Sequence, residues 1–196
     1  MGYKFYFYIN DNLYFQADIL CNQCQGTSKN GNRCRRRVCI ASPYCFQHLA
    51  SIKKLKVKKS NIENSGKGLF AWDSKNTGRI FKGPRNTKLS IIPGEKIVEY
   101  SGELIDLDTL IQRYSDYTAP YGIEINENLY EDASLIRGTG AMANHSKRNN
   151  ARFDISRNRV ILRATKGIKH NQEILVNYGS DYRFDEDSSY QTKYKR

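Results

Sequence analysis

Residues 3–9 and 13–19 are runs of aromatic and β-branched side chains, and Asn10-Asp11-Asn12 separates them. Turn formers between two strand-like runs predict a β-hairpin. Further along, the apolar positions come in short blocks: Ile97-Val98-Glu99-Tyr100, Val160-Ile161-Leu162 and Ile174-Leu175-Val176. Each block is bounded by Gly, Asn or charged residues, the pattern of a short buried strand. The best helical spacing lies in Asp106 to Tyr114, with Leu107, Leu110 and Ile111 on one face. No internal repeat is visible. The pattern predicts a mainly β fold with short helices.

A chain of 196 residues suits one ordinary domain with a small appendage. No apolar stretch approaches the roughly 18 residues that a membrane span needs. The opening Met1-Gly2-Tyr3-Lys4-Phe5-Tyr6 lacks the small-residue cleavage site of a signal peptide. It also places Tyr6 where N-myristoylation wants Ser or Thr. The expectation is a soluble intracellular protein, nuclear or cytoplasmic, with no membrane partner. Its five cysteines are then thiols or metal ligands rather than disulfides. A net charge of +12 points toward an acidic partner or nucleic acid. The charge is uneven, with Lys53, Lys54, Lys56, Lys58 and Lys59 in one segment and Arg33, Arg35, Arg36 and Arg37 in another. Solvated surface charge explains such runs equally well, so weak nucleic-acid contact is the most they predict.

Every cysteine falls between residues 21 and 45, as Cys21, Cys24, Cys34, Cys39 and Cys45, and His48 closes the segment. Zinc takes four thiolate or imidazole ligands, and ligands two to four residues apart form the knuckles that reach it. Cys45-Phe46-Gln47-His48 is one such pair, and the six candidates exceed the need of one ion. In a segment this short and polar, a metal is the natural source of folding energy. The stretch from Cys24 to Val38, followed by Tyr44-Cys45-Phe46-Gln47-His48, resembles a short zinc-binding module. That resemblance implies Cys24, Cys34, Cys45 and His48 as ligands, with Cys39 and Cys21 as alternates. With no base-reading residues evident, such a module suits protein contact or bracing of a neighbouring domain ahead of sequence-specific binding.

Further motifs follow in a fixed order. They are Gly66-Lys67-Gly68-Leu69-Phe70-Ala71, the run from Pro93 to Ile105 that contains Glu99-Tyr100-Ser101-Gly102-Glu103, then Asn144-His145-Ser146, then Asn177-Tyr178-Gly179. In that order, over roughly residues 57 to 183, they resemble the SET-domain protein-lysine methyltransferases. The resemblance implies a SET-type β-clip fold with a pseudoknot, in which the segment carrying Tyr178 threads a loop of earlier chain and abuts the Asn144 segment. It also implies S-adenosylmethionine as methyl donor. By position, Tyr178 carries the hydroxyl beside the transferring methyl, and Tyr100 and Tyr121 wall the lysine channel. Lys67, Gly68, Leu69, Asn144 and His145, with Tyr178, hold the cofactor. The chemistry asks for such residues. Methyl transfer needs a neutral amine, yet free lysine has a pKa of about 10.4. An apolar aromatic channel disfavours the ammonium, and tyrosine offers a flat wall with one hydroxyl.

The wording departs from the family in places. Lys147-Arg148-Asn149-Asn150 follows Ser146 where many members have Cys and Pro, closer in style to small viral SET proteins. No cysteine follows Cys45, so the zinc tail found after many SET domains is missing, and Arg183 stands where an aromatic often sits. Phe184, Tyr190, a partner subunit or bound substrate would then supply the lid, and a homodimer is one expectation. Asp73 to Ile92 exceeds the usual connection and reads as an inserted loop. The layout is a hairpin extension over 1–20, a zinc module over 21–50, a basic linker over 51–60, a SET domain over 61–184 and a polar tail over 185–196. The expected activity is methylation of a lysine in a histone or another basic chromatin protein. Glu124, Glu127, Glu131 and Asp132, with Asp185, Glu186 and Asp187, would offset the overall positive charge. Two alternatives stand beside it: a zinc-containing chromatin or nucleic-acid adaptor that does not catalyse, and a methyltransferase of a ribosomal or viral protein.

Overall fold

The structure is a computed structural model that describes residues 2–9, 12–38, 42–73, 78–81, 87–115, 119–180 and 182, with the backbone alone for 2–9, 12–20, 79–81 and 87. Cys39, Phe184, Tyr190 and the acidic triplet Asp185 to Asp187 lie outside the described residues. The expected hairpin is present: β1 (Gly2–Ile9) pairs antiparallel with β2 (Asn12–Leu20). A two-residue ladder of β3 (Asn22–Gln23) and β4 (Arg37–Val38) follows, and then α1 (Phe46–Lys53). Lys54 stops α1 in the left-handed region at φ 55° and donates its N–H to the Leu49 carbonyl, an αL cap.

Straight after that cap comes β5 (Leu55–Lys59), so the expected basic linker is a helix end and a strand. Leu55 and Val57 turn to the core and Lys56 and Lys58 to the opposite face, an alternation that the lysine content disguises. Its partner is β6 (Lys67–Ala71), with Leu55 opposite Ala71 and Val57 opposite Leu69. Within the expected insertion, β7 (Arg79–Phe81) and β8 (Thr87–Leu89) form an antiparallel pair.

The remaining elements are β9 (Lys96–Glu99), β10 (Glu103–Asp106), α2 (Leu107–Tyr114), β11 (Gly122–Asn126) and β12 (Leu129–Asp132). A short 3-10 turn, Gly140–Met142, leads to β13 (Asn144–His145), β14 (Ala151–Ser156), β15 (Arg159–Ala164) and β16 (Glu173–Val176). The expected helix is α2, and Asp106 starts it by accepting the Thr109 N–H on its side chain. Among the described residues no helix is long and apolar enough to cross a membrane.

Three sheets pack around one core, in strand orders β13-β16-β6-β5, β14-β15-β9 and β10-β12-β11. Leu69, Phe70, Val160, Leu162, Ile168, Ile174 and Val176 are wholly buried. Each contributes about 1.5–3 kcal/mol by burial. Strand β13 runs parallel to β16, with Asn144 opposite Leu175 and His145 opposite Val176. Asn150 secures that joint with its side chain, donating to the Glu173 carbonyl and accepting from the Leu175 N–H.

Two of the acids expected to offset the charge are elsewhere. Glu131 and Asp132 are fully buried. Glu131 accepts the Gly102 and Val160 backbone N–H groups at 2.8 and 2.6 Å and an Arg159 amine at 2.9 Å. Asp132 accepts from Arg113, from the Tyr114 hydroxyl and from the Ser134 N–H. They brace the fold. Glu124 and Glu127 remain exposed.

Candidate active site

Beside the β13–β16 joint lies a cavity of about 170 Å³, lined by Tyr100, Tyr121, Ile123, Phe153, Tyr178 and Tyr182 among others. Strands from all three sheets position this lining. Tyr178 follows β16, and its backbone N–H donates to His145 Nδ1 at 3.0 Å. Its hydroxyl donates to the Ala143 carbonyl at 2.9 Å, one residue before Asn144. Tyr100, at the end of β9, is buried and donates its hydroxyl to the Tyr121 carbonyl at 3.0 Å. The rings interlock: Tyr100 meets Phe153 edge to face at 5.6 Å, Phe153 stacks on Tyr178 at 6.4 Å, and Tyr182 meets Tyr178 at 4.8 Å. The Arg137 guanidinium sits 3.9 Å from the Tyr121 ring centre, a cation–π contact at the wall.

Burial, with neighbouring tyrosines, pushes the Tyr100 and Tyr178 hydroxyls well above the usual phenol range. Both are therefore neutral donors at ordinary pH, and neither is available as a general base. His145 is held below its usual value by burial and then by the Lys147 charge. A neutral ring agrees with its geometry, since Nδ1 accepts from Tyr178 and the proton must sit on Nε2. The site is thus an aromatic-walled hollow, with Glu124 as the one carboxylate among its described lining residues. Such a hollow disfavours an ammonium over a neutral amine.

The expected cofactor residues divide. Asn144 and His145 lie at the joint beside Tyr178. Asn144 donates its amide to the Lys67 carbonyl at 3.2 Å and to Glu173 Oε1 at 3.1 Å. Leu69 is a core residue, its side chain wholly buried. In this turn Gly66 takes the positive φ, at 62°, and Gly68 serves a different need. A Cβ on Gly68 would stand 2.1 Å from Glu173 Oε1 and 3.0 Å from Asn144 Nδ2, so only glycine lets those two side chains meet. Phe153, Tyr182, Asn150 and Glu173 were not singled out from sequence. Phe153 alone left a signal: Ala151 is buried, Arg152 exposed and Phe153 inward on β14, the alternation of a half-buried strand.

A second cluster occupies the N-terminal segment. Ligand atoms of Cys24, Cys34, Cys45 and His48 all lie within 4.8 Å of one another, and the three thiols are buried. His48 Nδ1 is 3.4 and 3.5 Å from the sulfurs of Cys24 and Cys45, while Nε2 is 2.9 Å from the Thr27 carbonyl. A donated Nε2–H fixes the tautomer that leaves Nδ1 free for a metal. Gly26 makes room for that ring, since a Cβ there would lie 2.3 Å from it. The backbone N–H groups of Gly26 and Cys45 point at the Cys24 sulfur. Burial pushes the Cys45 thiol up, but N–H donors of His48 and Gln47 outweigh it and bring the thiol to about 6. Three thiolates and one imidazole in this arrangement fit zinc. Cys21 stands outside this group of four and is disulfide-bonded, where a thiol or metal ligand was expected.

Comparison with known proteins bears on this arrangement. Residues 87–179 match the SET domain family. Over 154 residues the chain is 29% identical to a Yarrowia lipolytica protein described as histone-lysine N-methyltransferase, H3 lysine-36 specific, covering 73% of this chain and 20% of that one. Among solved structures it resembles Chaetomium thermophilum Polycomb Repressive Complex 2 bound to GSK126, at 26% identity and TM-score 0.52, over 66% of this chain and 16% of the other. The same complex in an autoinhibited conformation bound to S-adenosylmethionine aligns at 20% identity and TM-score 0.51, over 83% and 24%. This chain thus spans about a fifth of the curated relative. The mainly β architecture with two short helices is a SET-domain fold, as the motif order implied.

Proposed function

We propose that this SET-type chain is an S-adenosylmethionine-dependent protein-lysine N-methyltransferase acting on a histone or another basic chromatin protein, and that it works in the nucleus. The single observation that carries the reading is the meeting of Tyr178 with Ala143 and His145, on either side of Asn144, beside an aromatic cavity. The name of the curated relative, a histone-lysine N-methyltransferase, supports the substrate class. The bound donor would supply an electrophilic methyl for in-line displacement by the lysine amine. The walls formed by Tyr100, Tyr121, Phe153 and Tyr178 exclude water and favour the neutral amine. Tyr178, its hydroxyl already tied to the Ala143 carbonyl, offers its oxygen to orient the amine. Glu124 lines the cavity and is exposed, so its carboxylate can meet a basic substrate at the entrance. Cys24, Cys34, Cys45 and His48 would hold one zinc ion, whose binding energy folds the N-terminal module.

The test is direct. Purified chain, labelled S-adenosylmethionine and core histones should give labelled lysine, and Tyr178→Phe should lower the rate about 100-fold through lost positioning. A rate unchanged in that variant removes Tyr178 from the reaction, and no transfer to any protein lysine refutes the reading. A second reading concerns partners. Lys56 and Lys58 share one face of β5, over the rings of Trp72 and Phe70 at 3.8 and 4.1 Å, with Lys54 and Lys59 exposed nearby in the chain. This face supports weak nucleic-acid contact through backbone phosphates, which a salt-dependent binding isotherm would measure. None of the relatives reported above is viral.

A further inference from the structure

Glu173 is a buried carboxylate with more partners than a strand residue needs. It is 4% exposed, it opens β16, and chain from three other segments converges on it. The Ser60 hydroxyl donates to Oε1 at 2.7 Å, the Asn61 backbone N–H donates to Oε2 at 2.8 Å, and Asn144 Nδ2 donates to Oε1 at 3.1 Å. Gly68 adds a fourth constraint, because any side chain there would collide with the carboxylate.

The consequence falls on Asn144. Its amide nitrogen has two protons, and both are used, one by Glu173 and one by the Lys67 carbonyl. Both partners are pure acceptors. Turning the amide over would set its oxygen against a carboxylate and a carbonyl together. Glu173 and Lys67 therefore lock the amide, and Oδ1 faces the other way. Among the described residues Oδ1 accepts no hydrogen bond from the chain. An oxygen held in that sense accepts from an ammonium and repels a carboxylate.

We propose that Glu173 is a positioning residue that fixes the amide of Asn144 so that the site takes an amino-acid ligand by its α-ammonium group. The inference rests on the donor-binding reading above and adds the group that sets the ligand's polarity. Glu173 touches no ligand atom in this scheme and acts through Asn144.

The test uses a ratio. Calorimetry on the full chain compares S-adenosylhomocysteine with its analogue in which hydrogen replaces the α-amino group. Loss of a hydrogen bond to a charged donor should weaken the analogue about 10- to 100-fold on the wild type. In Glu173→Gln, whose amide can donate as well as accept, the preference should shrink to about threefold or less. Gly68→Ala, which displaces the carboxylate without removing it, should shrink it too. Ser60→Ala removes a bond to the same oxygen but leaves the Asn144 contact. It should lower the melting temperature and keep the wild-type ratio. A merely structural role would weaken both ligands alike and leave every ratio unchanged. If Glu173→Gln and Gly68→Ala bind both ligands with the wild-type ratio, Glu173 does not orient Asn144. If the wild type binds neither ligand, the donor reading itself is wrong, a different and separable result.

Discussion

Replacing Glu131 by alanine removes a side chain that no solvent reaches. Two backbone N–H groups, of Gly102 and Val160, lose their acceptor, and the Arg159 amine loses its partner. Each stranded buried donor costs about 1–3 kcal/mol. Arg159 is about a third exposed and still donates to the Gly102 carbonyl, so water and that bond absorb most of its loss. The total should be about 3–5 kcal/mol, the usual result of breaking one side of a buried pair. For a chain of this size, each kcal/mol moves the midpoint by about 2–4 °C, so the melting temperature should fall by about 6–20 °C. Glu124→Ala, on an exposed side chain nearby in sequence, should stay within about 0.5 kcal/mol. Urea unfolding of both variants measures the difference. A loss below about 1 kcal/mol for Glu131→Ala would refute the bracing role and restore Glu131 as an acid free to meet substrate.

Elemental analysis should find about one zinc per chain, lost in Cys34→Ser and in His48→Asn but kept in Cys21→Ser. Zinc loss in the last variant would mean the ligand set is wrong. His145 binds its proton less readily in the folded chain than in the unfolded one. Its contribution is complete above about pH 6.5 and fades as pH falls from there through its lowered folded value. Melting followed from neutral to acid pH should decline over that window, and His145→Asn should flatten this part of the curve; an equal slope in both proteins contradicts the assignment. Phe153→Ala removes a half-buried wall of the cavity and should cost about 2 kcal/mol of stability, less than a fully buried phenylalanine. Turnover on a lysine peptide should fall more than affinity for S-adenosylhomocysteine, and equal falls would place Phe153 outside the lysine channel.

Much of the architecture was legible in the chain because its signals are local. The hairpin of β1 and β2, the helix α2 with Asp106 at its start, and the short strands around Val98, Ile161 and Leu175 all follow from spacing and turn residues. The grouping of Cys24, Cys34, Cys45 and His48 has a local signal as well, since Cys45 and His48 stand close in sequence and every cysteine falls in one short segment. What stayed hidden depends on distant partners. Glu131 looked like surface charge because the N–H groups that donate to it lie 29 residues away in either direction. Strand β5 looked like a linker because lysine occupies its outer face, though Leu55 and Val57 keep the core rhythm. Glu173 gave no hint of its role, since Ser60, Asn61 and Asn144 become its neighbours only when β16 lies against β6 and β13.

The joint between β13 and β16 is where stability and chemistry share the same atoms. The backbone pairing there is only two residues long on the β13 side, and side chains extend it: Asn150 donates to and accepts from the backbone of β16, Glu173 bonds to Ser60, Asn61 and Asn144, and Tyr178 ties to His145 and Ala143. Groups that would hold a ligand are thus the groups that hold the segments together. A substitution at Asn144, His145 or Tyr178 should lower the melting point as well as the rate, and loss of activity alone cannot separate the two. Readouts that cancel folding, such as the ratio of two ligands on one variant or kcat against KM, carry the decision at this site. The same coupling runs in the other direction. A ligand that bonds Asn144 binds only the folded joint, so at 100 times its dissociation constant it should stabilise the chain by about 2.7 kcal/mol. A variant such as Tyr178→Phe that keeps this stabilisation while losing its rate would separate chemistry from the joint.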